Sequence, residues 1–283
     1  MKNLRLIPLI LFLAVLSAHA QETIRLEIYH TNDVHSKIEP FPADYATQRM
    51  ADKAGFVRRV TFMEQERQKD PELLLFDCGD FSQGSPYYNL FKGSTEIGFM
   101  NLCKYDVGII GNHEFDFGEE NMKRIFQEAN FPIVCANYTV EGTVLEGIVK
   151  PYTILYRKGL KIGVFGLGPQ MEGLVQEKNY KGIHFLEPVP VANEVARKLK
   201  EEEHCDLVIC LSHLGWFNSP TKYSDSNLVQ NTRNIDVVLG GHTHTYLEHP
   251  KMVKNLDGKE VPISQMGKNA QWVGHLTLTF EKK

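Results

Sequence analysis

Residues 24–35 read IRLEIYHTNDVH. The run Ile24–Tyr29 has the length and apolar content of a β-strand. It breaks off into Thr31-Asn32-Asp33-Val34-His35, residues whose oxygens and ring nitrogens suit metal ions better than a core. That unit, an apolar strand ending in polar donor residues, recurs four times. Leu73–Phe76 leads into Asp77-Cys78-Gly79-Asp80, and Val107–Ile110 into Gly111-Asn112-His113-Glu114-Phe115-Asp116. Leu207–Leu211 leads into Ser212-His213, and Val237–Leu239 into Gly240-Gly241-His242-Thr243-His244.

Between these units lie further strand-length runs at Ile133–Ala136, Tyr152–Tyr156 and Lys161–Gly166. Helix-like stretches lie at Ala51–Gln68, Gly93–Lys104, Glu119–Asn130 and Val191–Glu203. Strands alternating with helices are the mark of βα units. Arg157-Lys158-Gly159 reads as a hairpin turn, and His249–Lys283 as all-β, with a turn at Asp257-Gly258. No repeat, low-complexity tract or linker divides the chain. In open α/β sheets the carboxyl ends of the strands share one edge, where ligand sites form. The five segments are therefore expected to meet in one cleft.

Residue type then indicates the chemistry. Imidazole with carboxylate suits zinc, manganese or iron, whereas magnesium and calcium take nearly all-oxygen sites. Asp33-x-His35 and His242-x-His244 each place two donors on one side of an extended segment, by the period of two. Asp80 has two carboxylate oxygens and can bridge two cations; Asn112 offers an amide oxygen and His213 a further nitrogen. Two cations about 3.5–4 Å apart can share one activated water and clamp a phosphoryl group. Gly79, Gly111, Gly240 and Gly241 let the backbone approach closely. His184, His204, His249 and His275 lack the strand-end context and are read as solvated or structural.

Composition limits the partners. The net charge is −4, and two units more negative without Lys2 and Arg5, against the basic surplus of a nucleic-acid binder. Residues 1–20, MKNLRLIPLILFLAVLSAHA, read as a signal peptide with a positive start, an apolar stretch and an Ala18-His19-Ala20 cleavage pattern. The stretch is short for a membrane helix, so export, most simply to the periplasm, is expected, with no membrane attachment after cleavage. The five cysteines form an odd set and sit in or beside apolar runs, which suits buried packing; a disulfide between two of them stays open.

The strings HTNDVHSKIEP (30–40), FDCGDFSQGS (76–85), GNHEFDFG (111–118) and GGHTHT (240–245), with His213, resemble the calcineurin-like metallophosphoesterase superfamily, and within it the 5′-nucleotidase branch. The resemblance implies a four-layer α-β-β-α sandwich with two mixed sheets over residues 21–283. It implies two divalent metal ions, one held by Asp33, His35, Asp80 and His244, the other by Asp80, Asn112, His213 and His242. Asn112 and His113 would contact the substrate, with His113 stabilising the transferring phosphate or protonating the leaving oxygen and Asp116 orienting His113. Glu114 would support a neighbouring ligand. The implied reaction is hydrolysis of phosphate monoesters, nucleoside 5′-monophosphates foremost, in nucleotide catabolism. The family's second, nucleotide-binding domain is not recognisable here; either a separate protein supplies it in trans, or the metal domain works alone with loose specificity on exposed phosphate esters. The rival readings are a 2′,3′-cyclic-nucleotide phosphodiesterase, a sulfate-cleaving relative, and a non-catalytic metal-binding subunit of a two-protein complex.

Overall fold

Two six-stranded mixed sheets form the centre of the computed structural model, which describes residues 23–47, 49–217 and 223–281. The expected signal peptide lies outside the described residues. In chain order the strands are β1 (Thr23–Thr31), β2 (Leu74–Asp77), β3 (Val107–Ile109), β4 (Ile133–Val134), β5 (Tyr138–Thr139), β6 (Val149–Lys150) and β7 (Tyr152–Arg157). They continue as β8 (Leu160–Leu167), β9 (His184–Phe185), β10 (Leu207–Ser212), β11 (Val237–Leu239), β12 (Lys251–Lys254), β13 (Glu260–Ser264) and β14 (Gly274–Glu281). One sheet has the order β14-β1-β2-β3-β4-β6, parallel except where β14 meets β1. The other has the order β12-β13-β11-β10-β8-β7, with a parallel centre and antiparallel edges. β5 and β9 form a short separate ladder.

Strand alternation explains the layers. On β2, Leu74 and Phe76 point between the sheets, while Leu75 points outward. On β10, Leu207, Ile209 and Leu211 point inward, and Val208 and Cys210 outward. Both faces of both sheets are apolar, so each outer face needs a cover. The helices α1 (Phe56–Lys69), α2 (Pro86–Phe91), α3 (Ser94–Cys103) and α4 (Glu119–Glu128) follow strands of the first sheet. Phe56, Met63, Ile97, Met100, Ile125 and Phe126 of α1, α3 and α4 pack on its outer face. The helices α5 (Pro188–Arg197) and α6 (Asp225–Gln230) cover the second sheet with Ala192, Ala196, Leu228 and Val229. This is the four-layer α-β-β-α sandwich.

Most expected elements are present, with informative differences. α1 begins at Phe56 rather than Ala51, because Asp52, Ala54 and Gly55 have φ of 56°, 68° and 91°. Gly55 also passes so close to Glu39 and Pro40 that a Cβ would lie 2.8 Å from their backbone. The helix expected at Val191–Glu203 starts earlier, at Pro188, and widens into a π-helical turn over Lys198–Glu202. α2 and α6, six residues each, were too short for their periodicity to stand out. Lys158 and Gly159, at φ 52° and 80°, form the tight turn between β7 and β8. All five cysteines are buried and free. No helix among the described residues is long and apolar enough to cross a membrane.

Phe76 is fully buried between the sheets. Phe76→Ala is expected to destabilise the fold by about 3–5 kcal/mol through the cavity it leaves. Denaturant unfolding measures this, and a negligible loss would mean that the sheets are not joined through this ring.

Candidate metal centre

Strand ends from both sheets meet along one edge of the sandwich. β1, β2 and β3 deliver Asp33, His35, Asp80, Asn112 and His113; β10 and β11 deliver His213, His242 and His244. Backbone bonds fasten the first two loops together, with Asp33 N donating to Gly79 O at 3.0 Å and His35 N to Asp80 O at 3.0 Å. The two sheets are then joined through the donors themselves. His242 N donates to Asp33 Oδ2 at 2.9 Å, and His213 Nδ1 lies 2.6 Å from the carbonyl oxygen of Cys78.

The local backbone differs from the extended form expected for Asp33-x-His35 and His242-x-His244. Asp33, His35, Asp80, His242 and His244 have φ of 49°, 47°, 55°, 73° and 54°. Left-handed turns, not the period of a strand, aim these side chains at one point. Asp and His enter this region more readily than bulky residues, yet each such residue costs on the order of 1–3 kcal/mol. Close approach also dictates two glycines. A Cβ on Gly111 would overlap the Asp80 carboxylate, and one on Gly241 would lie 2.8 Å from both Cys78 O and His213 Nδ1.

Asp33 is fully buried and its two oxygens have different surroundings. Oδ2 accepts from His242 N and from Asn32 Nδ2, at 2.9 and 2.6 Å. Oδ1 faces three imidazoles, with Nε2 of His244, His213 and His35 at 3.4, 3.8 and 3.9 Å. The Nε2 atoms of His35 and His244 lie 3.0 Å apart. Asp80 Oδ1 accepts from His113 N at 2.9 Å, and its Oδ2 lies 3.1 Å from His213 Nε2. A carbonyl can only accept, so the Cys78 contact places a hydrogen on His213 Nδ1 and turns Nε2 toward the two carboxylates. Nε2 of His213 and of His242 are buried without an aligned hydrogen-bond partner, and His242 Nδ1 lies 3.0 Å from Asn112 Oδ1.

Three sets of donor atoms each gather within 4.8 Å: Asp33 with His35 and His244, Asp80 with His213 and His242, and His35 with Asp80 and His113. Among the described residues the ion-pair neighbours of Asp33 and Asp80 are imidazoles, with no lysine or arginine. Buried carboxylates without a fixed cation, beside unpartnered ring nitrogens, fit divalent metal ions. Burial opposes charge on His213, but Asp80 and Asp33 outweigh it and raise its pKa to about 10. Burial, with His213 nearby, lowers that of His242 to about 4.

His113, which gathers with His35 and Asp80, has in addition a carboxylate partner outside the cluster. Its Nδ1 lies 3.1 Å from Asp116 Oδ2, and its ring reaches the cleft mouth beside His35 and His244. Burial works against its charge, but the Asp116 hydrogen bond and the Asp80 charge raise its pKa to about 9. Glu114, fully buried, takes backbone N–H groups of Asp80, Ser82 and Gly111 at 3.0, 3.1 and 2.7 Å. Burial, then repulsion from Asp80, pushes its pKa up to about 7. Asp77 turns away, accepting from Thr31 Oγ1 at 2.7 Å and Gly79 N at 3.0 Å. Asn32 was legible in the sequence only as one polar residue among several. It holds Asp33 and also binds Met266 N and Gly267 O, each at 2.8 Å.

An α-β-β-α sandwich with Asp, Asn and His donors gathered at its strand ends defines a class of protein, the metal-dependent phosphoesterases. The chain belongs to the calcineurin-like phosphoesterase family, whose model matches residues 26–246. It is 32% identical to the snake venom 5′-nucleotidase of Crotalus adamanteus, over 99% of this chain and 49% of that protein. It is 30% identical to the human 5′-nucleotidase, over 91% of this chain and 47% of that one. The crystal structure of a 5′-nucleotidase precursor from Thermus thermophilus superposes with a TM-score of 0.82 at 28% identity, covering 91% of this chain and 52% of that one. The chain spans about half the length of the curated relatives it matches.

Glu114→Gln sets an amide NH2 against at least one of the backbone N–H groups that Glu114 now accepts. A loss of about 1–3 kcal/mol is expected for a buried donor left unpaired. Thermal unfolding checks this, and an unchanged Tm would remove Glu114 from its supporting role.

Proposed function

We propose that this protein hydrolyses phosphate monoesters, nucleoside 5′-monophosphates foremost, at a centre of two divalent metal ions. The observation that carries the proposal is the Asp33 Oδ1 atom, buried and faced by three imidazole nitrogens from three different loops. One ion is assigned to Asp33, His35, Asp80 and His244, and the other to Asp80, Asn112, His213 and His242. The donor set is that of manganese, zinc or iron. The family resemblance and the 5′-nucleotidase relatives support the substrate class.

Held by these residues, a metal pair would supply Lewis acidity toward the phosphoryl group and would make a nearby water more acidic. The chain's own residues do the rest. Asn112, whose Oδ1 lies 3.0 Å from His242 Nδ1, would contact a phosphoryl oxygen as well as a metal. His113, held by Asp116 in its charged form, donates to the oxygen on which charge develops and can deliver a proton to the leaving group. The cleft holds about 510 Å³ and runs outward from His35, His113 and His244 between Lys37–Phe41, Gln83–Tyr87 and Lys268–Asn269. That groove receives the leaving group. Whatever covers the cleft from outside these residues selects the nucleoside. The sequence of residues 1–20 supports delivery to the periplasm.

Two experiments test the proposal. Chelation, or Asp80→Asn, is expected to abolish turnover of AMP and to lower bound metal measured by elemental analysis; full rates in a metal-free sample would refute the metal mechanism. His113→Ala is expected to lower kcat by about 100-fold or more, as for loss of a general acid, with metal content near normal. Loss of both metals in that variant would reassign His113 as a ligand.

A further inference from the structure

We infer that Gln265 is a positioning residue for the metal centre, acting through the turn that carries His242 and His244; this rests on the proposed two-metal reading. Gln265 follows β13 directly and is fully buried. Its side-chain amide reaches into the Gly241–Thr245 turn and is used on both sides. Nε2 donates to Gly241 O at 2.6 Å, and Oε1 accepts from Thr245 N at 2.5 Å and from Thr243 Oγ1 at 3.1 Å. The three partners precede, separate and follow the two histidines. Thr243 Oγ1 also accepts from Trp216 N at 3.1 Å, so its hydrogen is available for Gln265.

The turn needs such a clamp because both histidines sit in the left-handed region, at φ 73° and 54°. The conformation is unfavourable for non-glycine residues and persists where surrounding contacts over-determine it. The main chain beside Gln265 adds to the clamp. Gly240 N donates to Ser264 O at 2.8 Å, Leu247 N to Gln265 O at 2.9 Å and Gly267 N to Thr245 O at 2.9 Å. The same segment reaches Asp33 through Asn32, which binds Met266 N and Gly267 O. One short stretch after β13 thus sets donors on both sides of the centre. Only a side chain with a donor and an acceptor at this reach serves all three groups; methionine has the length and neither function.

The experiment measures Mn²⁺ binding to the full chain, by stoichiometry and by competition with a chelator. Gln265→Met is expected to stay folded and to bind Mn²⁺ about 10–100-fold more weakly, as for loss of a residue that orients a ligand. Ile263→Val, two residues away and in the outer core, is expected to lower Tm without changing Mn²⁺ affinity. Thr243→Val, which removes one of the three Gln265 contacts together with the acceptor for Trp216 N, is expected to weaken binding by about fivefold and carries the test if Gln265→Met does not fold. Wild-type Mn²⁺ affinity in a folded Gln265→Met or Thr243→Val protein would overturn the role of the clamp. A wild-type protein that binds no divalent metal would overturn the metal centre and this inference with it.

Discussion

Two carboxylates, Asp33 and Asp80, lie buried where the sheets meet, and among the described residues no lysine or arginine is paired with them. An isolated buried carboxylate is costly, and proteins meet that cost with hydrogen bonds, partner charges or bound metal. Here backbone N–H groups and the Asn32 amide take some of the oxygens, and imidazoles face the rest. The surrounding turns follow from this arrangement. Five donors accept left-handed backbone, Gly111 and Gly241 give up side chains, and Glu114 gathers three N–H groups beneath Asp80. Binding energy from a metal in such a place is also folding energy, because the unfolded chain has no such site.

The position of the site follows from layer geometry. A single parallel sheet would offer one row of strand ends, whereas two sheets stacked through Leu74, Phe76, Ile209 and Leu211 offer two rows on either side of a seam. Asp33 and Asp80 come from one row, His213 and His242 from the other. The contacts from His213 to Cys78 and from His242 to Asp33 cross the seam. Any slip between the sheets therefore appears directly as a change in donor spacing.

The sequence made the strands and the donor loops legible because their signals are local. Ile24–Tyr29 alternates apolar with charged residues and Leu207–Leu211 is an apolar run, both of strand length, and each breaks into donor residues at the point where the strand stops. It could not show how those donors are aimed. Spacing of two in Asp33-x-His35 suggested an extended segment, but φ values near 50° belong to a turn whose form is settled by contacts with Gly79, Asp80 and Phe81. Asp77 and Asp80 are likewise equivalent as letters. Only the fold turns one toward Thr31 and the other toward His213. Gln265 carries no local signal, since its partners lie some twenty residues earlier.

The first sheet is completed by a strand from the far end of the described chain. β14 runs antiparallel along β1 from Thr23 opposite Glu281 to His30 opposite Gly274, and Thr277 bonds Glu27 from 250 residues away. During synthesis the first strand emerges long before its outer neighbour exists, and the segment that shapes the His242–His244 turn emerges only shortly before it. Closing so long a loop is slow relative to local helix and hairpin formation. The donor cluster therefore cannot be completed until that late segment is made, and newly made chains must keep an unpaired strand edge from joining a neighbour until then.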